Sequence, residues 1–284
     1  MAAAVGVVAA RRGLRTIVAE VAARDDVTRV LDEARLPLAG RYAENELAPG
    51  LHHISIDPGD ALEEYLRDQL PGPLADVLAQ SRMFTVFAAA TPGMRELVSV
   101  GKVWELTQNP RRTPGAEPYD LVILDAPATG HGLAILEAPR TFAETARVGT
   151  VARQGRTIHA MLADPARTGV IAVASPEEMP VNETLALCRA LRERMGLEVA
   201  RVVVNGVARS HFTAADAAAL RRADSEPVRA ARWSHARARA HRAQLVRLRR
   251  GLDGVPCSTL PQLHVAELDG AAIAGLADRL ERSL

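Results

Sequence analysis

Tyr119-Asp120-Leu121-Val122-Ile123-Leu124-Asp125-Ala126-Pro127-Ala128-Thr129-Gly130-His131-Gly132 decides the fold of this chain. An apolar run ends on a carboxylate, and the carboxylate passes straight into a Pro/Thr/Gly/His turn. A short apolar run bounded by turn residues reads as a buried strand of a parallel sheet. Ligands of such sheets bind at the carboxyl ends of the strands, where Asp125 stands. A carboxylate there can hold Mg²⁺ through water beside a phosphate. Gly130 has no side chain, so its N–H can approach a γ-phosphate, and closing or opening of this turn can report hydrolysis. Asp125 taken alone could equally end a strand and cap the next helix. The whole Asp-Ala-Pro-Ala-Thr-Gly-His string is more specific.

Outward from this segment, strand and helix patterns alternate. Strands are predicted at 15–21, 52–56, 119–125, 169–174, 199–204 and 255–260. Helices are predicted at the N-terminus (ending near Arg11-Arg12-Gly13), at 27–34, 61–70, 74–82 and 94–107, over roughly 140–162, at 177–194, twice within 213–250, and at the C-terminus. This alternation predicts an α/β fold: a three-layer, doubly wound, mostly parallel sheet within one domain over 1–284. The helical stretch 58–112 reads as an insertion between strands.

The composition narrows the function. The 284 residues are 48% apolar and 24% charged, as in globular proteins, and the net charge of +1 argues against bulk binding to nucleic acid. Cys188 and Cys257 form no metal spacing, which points to a reducing cytoplasm rather than a disulfide framework. The apolar N-terminal run precedes its arginines, the reverse of a secretory signal, and is too short to span a bilayer. Arg229, Arg232, Arg237, Arg239, Arg242, Arg247, Arg249 and Arg250 follow one another with no acid between Glu226 and Asp253. They read as a solvated helix face in preference to a nucleic-acid helix. Against a nucleotide hydrolase stands one fact. The only lysine is Lys102, and no G-x-x-x-x-G-K-[ST] loop occurs.

The string at 125–131 resembles the second switch region of the ArsA family, the arsenical-pump and tail-anchored-protein-targeting ATPases. Further segments match in order. Ala88-Ala89-Ala90-Thr91-Pro92-Gly93 and Gly101-Lys102-Val103-Trp104-Glu105-Leu106 resemble the family's helical region. Ser175-Pro176-Glu177-Glu178-Met179-Pro180 resembles its strand-to-helix turn. Val203-Val204-Asn205 resembles the strand end bearing an adenine-reading Asn, and Leu260-Pro261 the loop beside the purine. The resemblance implies a P-loop NTPase fold, ATP and Mg²⁺ as ligands, and hydrolysis coupled to a two-state switch across a homodimer or a heterodimer with a sister ATPase. Asp125 would organise Mg²⁺, Gly130 would sense the γ-phosphate, and Asn205, Leu260 and Pro261 would hold adenine.

The same resemblance places the helix starting at Met1 directly after the family's phosphate loop. It implies that a first strand and loop of about 20 residues are missing. An internal GTG valine codon read as a start is the expected cause, and a naturally shortened paralogue is the alternative. The family's switch I Asp falls on Ala22. Asp25 and Asp26 could substitute, or could simply cap the helix from Val27. Two separated cysteines supply no thiolate cluster for arsenite. Met83 to Phe87, with Met94, Leu97, Val100 and Val103, lie where the targeting branch binds hydrophobic clients, although such spacing also suits a core. The competing reading is a non-catalytic regulatory or scaffolding partner of a complete sister ATPase.

Overall fold

The computed structural model describes residues 1–21, 24–31, 39–40, 42–70, 73, 77, 81, 91, 93–113, 115–146, 149–222 and 224–283. The elements run α1 (Ala2–Arg11), β1 (Thr16–Val21), α2 (Asp26–Leu31), β2 (Asn45–Ala48), β3 (Leu51–Ile56), α3 (Pro58–Gln69), α4 (Met94–Leu106) and β4 (Leu121–Asp125). They continue with α5 (Thr129–Ala146), α6 (Thr150–Ala163), β5 (Val170–Ala174), α7 (Glu178–Met195), β6 (Val199–Val207), α8 (Ala214–Leu220), α9 (Glu226–Gly251), β7 (Cys257–Pro261) and α10 (Gly270–Glu281). They gather into two compact units: Met1–Arg167 with Glu267–Arg282, and Thr168–Ala266.

The first unit holds a sheet in the order β2-β3-β1-β4. β1 pairs in parallel with both β3 and β4, while β2 runs antiparallel to β3. Every residue of β1 and β3 is buried, as expected of strands covered on both faces. One face of β1, with Ile17, Ala19 and Val21, packs with Ile54 and Ile56 against Val100, Val103 and Leu106 of α4 and Ile158 and Met161 of α6. A fully buried side chain such as Ile17 or Ile54 contributes about 1.5–3 kcal/mol.

α1 covers the opposite face. Its Gly6 lies so close to the sheet that an added Cβ would stand 2.9 Å from Leu51 Cδ1 and 3.0 Å from Val18 Cγ2. α10 flanks α1, joined to it by the exposed Arg11–Asp278 and Arg12–Glu281 pairs. α5 and α6 form a tight helix pair. Gly155 is needed there because a Cβ would fall 2.6 Å from the Pro139 carbonyl oxygen.

The second unit carries a parallel sheet in the order β5-β6-β7. Val202, Val203 and Val204 are fully buried, while Ile171 and Val173 on β5 are exposed at 38% and 49%. α7 ends on Gly196 in the left-handed region (φ 66°), the usual helix terminator.

The mixed α/β architecture and mostly parallel pairing agree with the sequence reading. The strands form two sheets, one in each unit, where a single sheet was expected. β2 was missed because Asn-Glu-Leu-Ala has no apolar period. The Pro/Thr/Gly/His turn is shorter than predicted, since Thr129 already begins α5. The predicted 74–82 helix and the apolar 83–87 stretch fall almost wholly outside the described residues. Among the described residues no helix is long and apolar enough to cross a membrane.

Candidate functional site

The parallel register lines up Ser55, Glu20 and Asp125 across β3, β1 and β4 at the carboxyl edge of the first sheet. Strand side chains alternate faces, so these three share a face with Leu51, Val18 and Ile123, the residues beneath Gly6 of α1. α1 runs antiparallel to β1, which brings its N-terminus to this edge. The Met1 amino group accordingly acts on Asp125. No side chain caps α1, so its first N–H groups and the positive end of its dipole face the same place.

Asp125 is half-buried, and burial pushes its carboxyl above the usual aspartate range against the pull of Arg24 and of the Met1 amino group. Its partner is Arg24, whose Nη2 donates to the Asp125 carbonyl oxygen (2.9 Å) and to Oδ2 (3.1 Å). Sequence reasoning passed over Arg24 as part of a spacer, because no motif marks it.

Glu20, fully buried, has a different task. It accepts hydrogen bonds from the N–H groups of Asp26 (3.3 Å) and Val27 (3.0 Å), capping α2, and meets His53 Nε2 at 2.9 Å. The other ring nitrogen, Nδ1, lies 2.8 Å from the Thr28 hydroxyl oxygen. Burial alone would raise the Glu20 carboxyl, but these bonds and the nearby charges hold it below the ordinary glutamate range. Glu20 thus caps α2 from the sheet, a role that the sequence reading gave to Asp25 or Asp26. Asp26 pairs with Arg29 instead. A lone acid in an otherwise apolar, buried strand was the signal that could have identified it.

Gly130 lies exposed in the first turn of α5, and a Cβ there would meet no protein atom within 4 Å. Gly132 is a packing glycine, 2.9 Å from the Pro127 carbonyl oxygen by the same measure. In the second unit, Asn205 is an exposed residue of β6 beside a ladder irregularity, where Gly206 has φ 74°. Val204 pairs with Thr259 and Val207 with Pro261, so Asn205 and the Leu260-Pro261 strand end come together. Leu260 is 1% exposed and its side chain belongs to the core, which leaves backbone and Pro261 at the surface.

Lys102 is not at this edge. Its ammonium meets Glu64 (2.7 Å) and Glu105 (3.1 Å) and is 8% exposed. Arg111 bonds the same Glu105 and also Glu44, which accepts from the Tyr119 hydroxyl. The residues at the carboxyl edge thus fit part of a magnesium–nucleotide site. They provide an oxygen donor at Asp125, a cation at Arg24 and the N-terminus of α1. They provide no lysine, and the one in the chain is committed to ion pairs. Among the described residues no cluster of three or more His, Cys, Asp or Glu could hold a metal unaided.

Comparison with known proteins places the chain among ATPases. The family model described as anion-transporting ATPase matches residues 1–147 and 143–225. The chain is 29% identical over 236 residues to a putative ATPase of Mycobacterium bovis and to ATPase BagA of Mycobacterium tuberculosis, covering 81% of this chain and 68% of each of those. It is 27% identical over 172 residues to a putative arsenical pump-driving ATPase of Halobacterium salinarum, covering 56% of this chain and 25% of that one. The chain, which ends a parallel strand on a carboxylate, belongs to the ArsA family of anion-transporting ATPases.

Proposed function

We propose that this chain serves MgATP binding and hydrolysis, with the carboxyl edge of the first sheet as the metal and γ-phosphate side. The observation that carries the reading is Asp125, held at the end of β4 between Arg24 and the N-terminus of α1. Asp125 would hold Mg²⁺ through water and the Gly130 N–H would meet the γ-phosphate. Arg24 and the α1 N-terminus would offset phosphate charge. Asn205 and Pro261, with the Leu260 backbone, are the adenine-reading residues of the second unit. Bound Mg²⁺ supplies charge neutralisation across the phosphates. The Arg24–Asp125 pair is more than one third exposed on the arginine side, so separating it costs about 1 kcal/mol or less. Arg24 can therefore exchange Asp125 for phosphate at little cost, which suits a two-state switch. A dimer, with itself or with a sister ATPase, is part of this proposal.

The phosphate loop and its lysine must then come from outside these 284 residues. Among the described residues β4 stands at the edge of its sheet and is only half-buried, in contrast to β1 and β3, which leaves an edge on which a further strand could pair. The committed Lys102 equally favours the second reading, a partner without catalysis. Calorimetry with MgATP separates the two. The 284-residue chain alone should bind weakly or not at all. The same chain carrying its native upstream reading frame should bind at low micromolar concentration, with Asp125→Asn removing the Mg²⁺ dependence. A stop codon close upstream, or no binding by the extended chain, leaves the non-catalytic partner. Low-micromolar binding by the 284 residues alone refutes the need for an external loop.

A further inference from the structure

Between α3, α4 and α6 the first unit forms a partly open cavity of about 220 Å³. Leu62, Leu66, Leu97, Val98 and Ile158 supply much of its wall, and the ring of Tyr65 lines it. Protein interiors leave few voids larger than a water molecule. An apolar cavity of about 150 Å³ stays dry and takes benzene. Scaled from benzene's six carbons, this cavity takes about eight or nine carbon atoms. That is far too little for a client helix about 10–12 Å across. The cavity shares no residue with the carboxyl-edge site, so a ligand held there is independent of the ATPase reading.

The charge around it is unbalanced. Glu64 and Asp68 line the cavity and also an adjoining hollow formed with Tyr42, Asp60, Glu63 and Arg67. The nearby cations are engaged: Lys102 by Glu64 and Glu105, Arg112 by Asp68, and Arg67 by Glu63. Among the described residues no cation lies within ion-pair distance of Asp60. Burial and the charges of Asp57 and Glu63 raise its carboxyl. A positive charge arriving at this hollow would relieve that repulsion, and an anion would add to it.

We propose that this cavity is a binding site for a small organic cation with an apolar tail. The tail fills the space between α3, α4 and α6, and the ammonium stands against Asp60, Glu64 and Asp68. The Tyr42 ring, which already holds Lys102 Nζ 5.4 Å from its centroid, lines the same hollow.

The test is calorimetry with octyltrimethylammonium and, as the anionic match, octyl sulfate, both below their micellar concentrations. The cation should bind more tightly than the sulfate by about tenfold, the equivalent of 1.4 kcal/mol. Gly101 lines the cavity and an added Cβ there meets nothing within 4 Å, so Gly101→Leu should fill the space without lowering the melting temperature. That variant should abolish binding. Asp60→Asn keeps the cavity and should reduce the preference for the cation by about threefold or more. Equal binding of the two amphiphiles by the unaltered protein, unchanged binding in Gly101→Leu, or no binding at all would each overturn the proposal.

Discussion

Replacing Lys102 with methionine tests whether the only lysine of this ATPase-family chain is a structural charge. The ammonium stands 2.7 Å from Glu64 and 3.1 Å from Glu105, and both Lys102 and Glu105 are buried. Removing one partner of a buried pair costs about 3–5 kcal/mol, because a charge is left without its counterion. Two features reduce this here. Glu105 keeps Arg111 at 3.1 and 3.2 Å, and Glu64 keeps the Tyr42 hydroxyl and about a third of its water. The expected loss is therefore about 2–3 kcal/mol. With a urea slope of about 2 kcal/mol/M, the midpoint falls by about 1 M or more. Trp104 lies on α4 beside Lys102 in sequence, and Trp233 belongs to the other unit. Fluorescence of Trp104 in a Trp233→Phe background thus follows the unit that holds the mutation. In a Glu105→Gln background the same substitution should cost at least about 1 kcal/mol less, because there the lysine has less to neutralise. A loss below about 0.5 kcal/mol, or an identical loss in both backgrounds, would refute the buried-network reading. Weakened nucleotide binding at unchanged stability would instead make Lys102 a phosphate ligand.

Burial raises the carboxyls of Glu20, Glu44 and Glu105, but their hydrogen bonds and nearby cations outweigh it and hold all three below the ordinary glutamate range. The folded state then binds fewer protons than the unfolded one, so the stability they contribute is present above about pH 4.5 and is lost as pH falls through the lowered values. Denaturant midpoints measured from pH 6 downward should show this, with a flatter profile in Lys102→Met. Glu20→Ala should cost about 3 kcal/mol and speed hydrogen exchange at the Val27 amide, which loses its acceptor. Gly155→Ala should cost about 2 kcal/mol in thermal unfolding, since its Cβ would sit 2.6 Å from the Pro139 carbonyl oxygen. Gly275→Ala, with open space around it in α10, should be neutral or stabilising.

The sequence was informative wherever a residue type had one physical use. The apolar run at 121–124 is a parallel strand as read, though half-buried where full burial was expected, and its terminal Asp125 lies at the carboxyl edge. Asn205 and the 260–261 strand end are neighbours, a pairing of β6 with β7 that no local pattern records. Arg24 and Glu20 escaped because their roles arise from pairing across strands, and no local spacing records which strand neighbours which. Asp26 sat at the right place for a cap, yet Glu20 reaches the helix from the sheet and accepts from the Asp26 and Val27 N–H groups. Lys102 stood out in the sequence only as the one lysine of an arginine-rich chain, outside any phosphate loop. Its environment of two carboxylates is set by α3 and α4 packing together, and neither helix alone predicts it.

The acids of the first unit can be sorted by what the protein does to them. Glu20, Glu44 and Glu105 are given hydrogen bonds and cations that hold their carboxyls low, so the fold gains from their charge. Asp125 is treated in the reverse way. Its carboxyl is desolvated and pushed up, the arginine that pairs with it is more than one third exposed, and Glu20 and Asp26 repel it. A charge kept where the fold does not profit from it is the mark of a site with another use. It follows that Asp125→Asn should change stability by less than about 1 kcal/mol, whereas Glu20→Ala, one strand away in register, should not be tolerated so easily. If Asp125→Asn instead destabilised the unit as much as Glu20→Ala, the carboxylate would be a structural acid. The family's switch role would then have no support from the physics of this chain.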